Sequence, residues 1–204
     1  MRIAIPLLLL CVFLQLAPEH LVTQLEFDRQ SILAGDIWRL WTGHLVHFSA
    51  EHAAVDLAVL FVVTWFAEHL LGIRRTVLTL LAGAFFISSG LLLLTPEMEI
   101  YRGSSALGAM MGFSVGMAIW HSDPKLNRIL GTILVGFLSK TIIDAAGMLP
   151  AFTSLPPTVQ VAWQAHALAV AFAILGRLRP SFEAAHQTPQ ADHPMGVTSK
   201  EVQS

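Results

Sequence analysis

The sequence predicts an all-α membrane protein, a compact bundle of six transmembrane helices with both termini in the cytoplasm. Of its 204 residues, 54% are apolar and only 13% are charged, whereas soluble domains carry about 25% charged residues. The apolar residues collect into six runs of roughly membrane-spanning length, separated by short charged segments. The basic loops fall on one side of such a bundle, which indicates its orientation.

The six predicted spans cover residues 3–17, 52–71, 77–94, 105–120, 129–148 and 159–175. The first run could also be a signal peptide. We expect it to be retained as a helix, because Gln15 and Pro18 suit a cleavage site after Ala17 poorly. The membrane domain is therefore predicted at residues 1–179, and the polar stretch 180–204 is expected to be a disordered cytoplasmic tail.

The charges of the loops predict which side faces the cytoplasm. Basic residues concentrate in segments that a six-span chain puts on one side: Arg2, Arg74, Arg75, Lys125, Arg128, Arg177 and Arg179. Because such loops stay in the cytoplasm, the opposite, more acidic loops are expected to face the outside or the periplasm.

Composition also excludes several classes of function. A net charge of −2 argues against a strongly basic nucleic-acid binder, and no Rossmann or P-loop glycine pattern occurs. The single cysteine, Cys11, allows neither an internal disulfide nor a Cys-rich metal cluster. No metal, organic cofactor or nucleic-acid partner is implied.

Ser105 opens the fourth predicted helix, directly after Gly103 and Ser104. A helix N-terminus presents unpaired N–H groups and a partial positive charge, so a serine in its first turn can attack a carbonyl while those amides stabilise the oxyanion. The alternative is that Ser104 or Ser105 only caps the helix.

A serine nucleophile needs a base, most often a histidine. His166 lies inside the sixth predicted helix near its outer end, at a depth comparable to that of Ser105. Small residues four apart would let these two helices approach closely. They are Gly108, Gly112 and Gly116 on the fourth helix and Ala165, Ala169 and Ala173 on the sixth. The alternative is a buried histidine that only packs.

His52 and Asp56 are candidate donors to the oxyanion, because their spacing puts them on one face of the second helix. His52 can donate directly, whereas Asp56 can donate only if an apolar pocket keeps its carboxyl protonated. The alternative is an interfacial polar cluster that faces headgroups and water.

Together these motifs resemble the rhomboid family of intramembrane serine proteases. Residues 35–49 with His52 and Asp56 are similar to the family's first-loop and second-helix pattern. Gly103-Ser104-Ser105-Ala106 resembles its GxSG nucleophile motif, and Ala165-His166 its sixth-helix histidine motif. The resemblance implies a six-helix rhomboid-like bundle and a Ser105–His166 dyad without an acid. It also implies an oxyanion pocket lined by His52 and Asp56, beside Gly103 and Ser104.

Three positions depart from the family pattern. Asp56 replaces the usual asparagine donor, while Ala106 and Ala169 each replace a glycine. An ionised Asp56 would repel a developing oxyanion. It is therefore protonated, or it points elsewhere, or the chain is a weak or inactive member.

The six-span form and the motif Tyr101-Arg102-Gly103 resemble the rhombosortase branch of the family. The implied substrates are exported single-span proteins that end in a Gly-Gly motif, one hydrophobic helix and a basic terminus. The implied location is the bacterial inner membrane, with the active site facing the periplasm. The competing class is a catalytically inactive rhomboid-like protein that binds membrane helices, which Asp56 and Ala106 favour.

Lys140 and Asp144 lie four residues apart in the fifth predicted helix, where unpaired charges would be costly in lipid. We expect a structural ion pair. The alternative is a polar contact with the substrate or a proton path.

Overall fold

Helices account for most of the residues that the structure describes. A computed structural model describes residues 1–120, 124–148 and 162–178. The helices in these ranges are α1 (Ala4–Gln15), α2 (Glu19–Leu25), α3 (Arg29–Leu33), α4 (Arg39–Thr42), α5 (Ala50–Leu70), α6 (Ile73–Leu94), α7 (Ser105–Ile119), α8 (Pro124–Ala145) and α9 (Trp163–Leu178). Two strands, β1 (Phe27–Asp28) and β2 (Ile100–Tyr101), pair antiparallel.

Each of the six predicted apolar runs overlaps one of the helices α1, α5, α6, α7, α8 and α9, and residues 159–161 of the last run lie outside the described residues. α5 and α6 begin earlier than predicted, because the helical backbone continues through polar first turns that contain Glu51 and the pair Arg74 and Arg75. By length and composition α5 and α6 can cross a membrane, whereas α1, α7 and α9 are apolar but shorter. The six-span count and the cytoplasmic termini stay predictions, and the predicted tail at 180–204 lies outside the described residues.

α7 is the central helix of the bundle. It packs against α5 on one side and α9 on the other, and α6 contacts both α7 and α9. α1 packs on α5, and α8 packs on α9. The side chains of Leu60, Ile87, Met110 and Met111 are fully buried between these helices, so the start of α7 is held between two neighbours.

The predicted contact between the fourth and sixth spans is confirmed, because α7 packs on α9, but the prediction that the glycines of α7 form this contact is wrong. A methyl group at Gly108 or Gly112 would contact valine side chains of α5 at 3.2 and 3.5 Å, and one at Gly116 would meet Leu130 of α8 at 3.6 Å. These glycines therefore face α5 and α8. The small residues that α9 buries are Ala165, Ala169 and Ala173.

The segment between α1 and α5 folds against the residues that lead into α7. Arg39 is buried and donates hydrogen bonds to the main-chain oxygens of Thr23 and Glu26, at 2.7 and 2.9 Å. β1 pairs with β2 so that Phe27 lies opposite Tyr101. This pairing fixes the first loop beside the start of α7.

Glu68 of α5 holds the N-terminus of α1. Its carboxylate accepts hydrogen bonds from the main-chain N–H groups of Arg2, Ile3 and Ala4, at 2.7, 2.9 and 2.6 Å. A helix leaves its first N–H groups without internal partners. The carboxylate therefore supplies acceptors that apolar surroundings would lack.

The expected ion pair on the fifth span is confirmed. Lys140 Nζ donates a hydrogen bond to Asp144 Oδ2 along α8, and the side chain of Asp144 is only 5% exposed. Pairing offsets part of the cost of burying this carboxylate.

Candidate active site

Ser105 is the first residue of α7, and Ser104 occupies the N-cap position. The hydroxyl of Ser104 makes no capping hydrogen bond, so helix capping does not explain why serine occupies this position. Ser105 is half-buried, whereas Ser104 is completely buried. Of the two serines, Ser105 is therefore the more accessible to a substrate.

A carboxylate oxygen of Asp56 lies where the first amides of α7 converge. Asp56 Oδ2 accepts hydrogen bonds from the main-chain N–H groups of Ser104 and Ser105, both at 2.9 Å. His52 Nε2 lies 3.3 Å from the same oxygen. Of the three alternatives for Asp56, the one in which it points elsewhere does not describe this structure, since its carboxylate faces these donors. A helix N-terminus favours a negative charge at this position.

Gly103 leaves the space that this arrangement needs. Its φ is +141°, a conformation that side chains with a Cβ rarely adopt. A Cβ would also lie 3.1 Å from Asp56 Oδ2 and 3.1 Å from His52 Nε2. The Gly103 N–H donates to the carbonyl of Gly43 at 3.2 Å, and Tyr101 donates its hydroxyl to the Gly103 carbonyl at 2.8 Å. The sequence motif thus has a steric reason for glycine.

His47 is a second histidine in this cluster. Its Nε2 lies 3.1 Å from Ser104 Oγ and 3.7 Å from Asp56 Oδ2. The imidazole of His47 meets that of His52 edge to face, with ring centroids 5.3 Å apart. Ser104 is therefore the serine with a histidine contact, although its burial keeps its hydroxyl from a substrate.

His166 is buried on α9, the helix that packs beside α7. Its ring lies edge to face with Phe137 of α8, with centroids 5.4 Å apart. The charges of Lys140, Asp56 and Asp144 are within electrostatic range of its imidazole. Within the described part of the chain His166 makes no hydrogen bond to Ser105. Catalytic hydrogen bonds often form only in the substrate complex.

Burial keeps the loop histidines neutral. Desolvation lowers the pKa of His47 to about 4 and the pKa of His44 to about 4. A neutral imidazole has one donor and one acceptor nitrogen. Near pH 7, His47 Nε2 therefore either donates its proton toward Ser104 and Asp56 or accepts the hydroxyl proton of Ser104, depending on the tautomer.

The sequence-predicted site residues divide into two groups. His52, Asp56, Gly103, Ser104 and Ser105 are in direct contact, at the junction of α5 and the start of α7. His166 lies on the neighbouring helix α9 and is joined to them by packing and charge.

The chain matches the model of one protein family over most of its length. The model of the Rhomboid domain matches residues 34–178, which is more than half of the chain. The chain belongs to the rhomboid family. Among curated proteins no match was found.

The match makes this rhomboid a helical membrane protein of an intramembrane serine protease family. The matched region contains every site residue described above. Among the described residues of this rhomboid, no group of three or more His, Cys, Asp or Glu side chains could hold a metal ion.

Three residues beside this rhomboid's candidate site are not predicted by the sequence, namely His47 and the buried pair of Glu26 with Arg102. Two histidines close together before the second span are the only local signal for His47. Arg102 belongs to a motif that indicates a branch of the family, but the motif says nothing about its contacts. Its partner Glu26 is 76 residues away in the sequence, and such a pair leaves no local pattern.

Proposed function

We propose that this rhomboid is an intramembrane serine endopeptidase with Ser105 as nucleophile and His166 as general base. The observation that supports the proposal most directly is the convergence of three donors on one oxygen. These donors are the main-chain N–H groups of Ser104 and Ser105 and the imidazole of His52. Preorganised donors of this kind stabilise the oxyanion of acyl transfer. In the resting chain the Asp56 carboxylate stands where that oxyanion would be.

In the proposed mechanism, His166 takes the hydroxyl proton of Ser105 as Oγ bonds to the carbonyl carbon of the scissile peptide. Negative charge develops on the carbonyl oxygen, where the α7 amides and His52 stabilise it. When the C–N bond breaks, His166 returns the proton to the leaving amine. Water, deprotonated by His166, then hydrolyses the acyl enzyme. An ionised Asp56 must turn away or take up a proton for this to proceed, because it repels the oxyanion.

The proposed substrates are exported single-span proteins with a rhombosortase-type tail, a Gly-Gly motif followed by one hydrophobic helix and a basic terminus. A helix must unwind before it enters a serine protease site, and glycines lower the cost of unwinding. The proposed location is the bacterial inner membrane, with the site facing the periplasm. The basic residues Arg2, Arg74 and Arg75, at the end of the bundle opposite to the site, support this orientation, because loops rich in Lys and Arg stay in the cytoplasm.

The first prediction concerns a tailed reporter in cells. Co-expression with the wild-type chain is expected to release the reporter, and Ser105→Ala or His166→Ala to reduce release by about 10³-fold or more. Ser104→Ala is expected to retain measurable cleavage. A reporter whose Gly-Gly pair is changed to Leu-Leu is the matched substrate control. Loss of release in Ser104→Ala alone would move the nucleophile to Ser104, with His47 as its base.

A second candidate is a non-catalytic rhomboid that binds membrane helices. The carboxylate of Asp56 in the oxyanion pocket favours it, because the resting site is filled by the chain's own anion. A fluorophosphonate that labels Ser105 would support the protease. Binding of the tailed helix without labelling or cleavage would support the second candidate.

A further inference from the structure

Arg102 is held in a nearly closed environment immediately before Gly103. Its Nε donates to Glu26 Oε2 and its terminal nitrogen to Glu19 Oε1, both at 2.6 Å. The side chains of Arg102 and Glu26 are 9% and 7% exposed, while that of Glu19 is 71% exposed. One partner is thus buried with the guanidinium, and the other lies at the surface.

The guanidinium also contacts an aromatic ring that leads into the site. Arg102 Cζ lies 5.1 Å from the centroid of the Phe48 ring, within the range of a cation–π interaction. Phe48 in turn stacks on His52, with centroids 6.2 Å apart and an interplanar angle of 6°. His52 Nε2 faces Asp56 Oδ2 at 3.3 Å. A continuous series of contacts therefore runs from Glu26 to the proposed oxyanion donor.

The shape of the guanidinium suits both kinds of contact. A planar guanidinium can bind two carboxylates along its edge while its face covers an aromatic ring. A lysine ammonium keeps the charge and can approach the ring, but it has no planar face to stack on it and no rigid fork of donors for the two carboxylates. Arg102→Lys therefore removes the geometry of these contacts without removing the charge.

We propose that Arg102 is a positioning residue that fixes the His52 imidazole in the oxyanion pocket through the ring of Phe48. Glu26 is the partner that holds Arg102 in place, since exposed pairs such as the one with Glu19 contribute little. This inference rests on the proposed protease function, in which His52 acts as a donor.

The kinetic test uses purified protein in proteoliposomes and a tailed substrate, with kcat and KM measured separately. Arg102→Lys and Phe48→Leu are expected to lower kcat about tenfold with little change in KM, because a displaced donor weakens the transition state more than the ground state. Phe48→Tyr keeps the ring and is expected to retain kcat. Glu26→Gln is expected to lower kcat more than its matched control, Glu19→Gln. Thermal melting of each variant shows whether the fold is intact.

A second readout does not depend on activity. In protein with ¹⁵N-labelled histidine, assigned with His52→Gln, Arg102→Lys is expected to shift the ring signals of His52, and Glu19→Gln to leave them unchanged. Unshifted His52 signals in Arg102→Lys would overturn the positioning role, whether or not the chain cleaves. Cleavage that requires Ser105 but is unaffected by Arg102→Lys would also overturn the positioning role of Arg102. The proposed protease function would then still be supported. If the wild type neither cleaves the substrate nor reacts with a fluorophosphonate, but Arg102→Lys still shifts the His52 signals, the protease function is contradicted and the positioning of His52 by Arg102 is supported.

Discussion

Several potential hydrogen-bond donors surround the oxygen Asp56 Oδ2. Two main-chain N–H groups and His52 approach within 3.3 Å, and His47 lies at 3.7 Å. The pocket is thus built for an anion and holds one of its own. In the proposed mechanism, a substrate oxyanion has to compete with this carboxylate for the same donors.

The second prediction follows from that competition. Asp56→Asn removes the charge but keeps the shape of the side chain, and its amide can donate to the oxyanion. Since a single oxyanion donor is worth about 10²–10³ in kcat, we expect a rise of about tenfold or more. The measurement is kcat with the tailed substrate, and Asp36→Asn in the first loop is the control. A folded but inactive Asp56→Asn would mean that the carboxylate takes part in catalysis.

The sequence predicts which residues belong to the site better than it predicts how they point. The helical start at Ser105 and the shared face of His52 and Asp56 follow from local rules of spacing and composition. The direction of the Asp56 carboxylate does not, because it depends on the backbone of Gly103 and on the approach of α5 to α7. The role of His47 depends on the same approach.

At the level of elements, α1 is attached to the bundle by its end as well as by its face. Its apolar surface packs on α5, while Glu68 of α5 receives the main-chain N–H groups of Arg2, Ile3 and Ala4. The two contacts act on different parts of the helix. Packing fixes its direction, and the carboxylate fixes its height along α5.

The third prediction concerns this attachment. Glu68→Ala is expected to destabilise the protein by about 1–2 kcal/mol, because a capping acceptor and its favourable charge are both lost. Glu68→Gln should lose less, since one oxygen remains. The measurement is the melting temperature in detergent, together with hydrogen exchange at residues 2–4. Glu97→Gln, at an exposed carboxylate, is the control, and an equal shift in both variants would contradict the prediction.

Hydropathy predicts the long helices because each apolar run fills a helix of corresponding length. It does not predict the short helices α2, α3 and α4 or the strand pair of β1 with β2. These elements are held by tertiary hydrogen bonds, such as those from Arg39 to the main-chain oxygens of Thr23 and Glu26. No periodic pattern in residues 19–42 reports such bonds.

For the whole molecule, the buried loop histidines link stability to pH. The pKa values of His44 and His47 are about 4 in the folded protein and 6.5 for a free histidine. Between these values the unfolded chain binds more protons than the folded one. The contribution of each neutral ring to stability is therefore complete above pH 6.5 and is lost as the pH falls toward 4. This contribution is on the order of 3 kcal/mol for each ring.

The fourth prediction is a lower melting temperature at pH 5 than at pH 7. His47→Gln, which keeps a hydrogen-bonding group near Ser104, is expected to reduce this difference. His20→Gln is the control, since His20 is exposed on α2. An unchanged pH dependence in His47→Gln would assign the effect to other groups. Burial raises the pKa of Glu26, so this residue stabilises the folded protein as the pH falls, opposite to the histidines. Its contribution is the same in the wild type, His47→Gln and His20→Gln.

The pairing of the first loop with the start of α7 also has a consequence for biosynthesis. Glu26 leaves the ribosome 76 residues before its partner Arg102, and α5 and α6 are made in between. Chains fold from the N-terminus during synthesis, while contacts between distant residues form late. A chain that has inserted only α1, α5 and α6 has a first loop without its partner Arg102, and it lacks Ser105 and the α7 amides that bind the Asp56 carboxylate. If Ser105 and His166 act as proposed, the site is complete only after α9 has been made, so a chain that ends before α7 cannot cleave the membrane proteins inserted beside it.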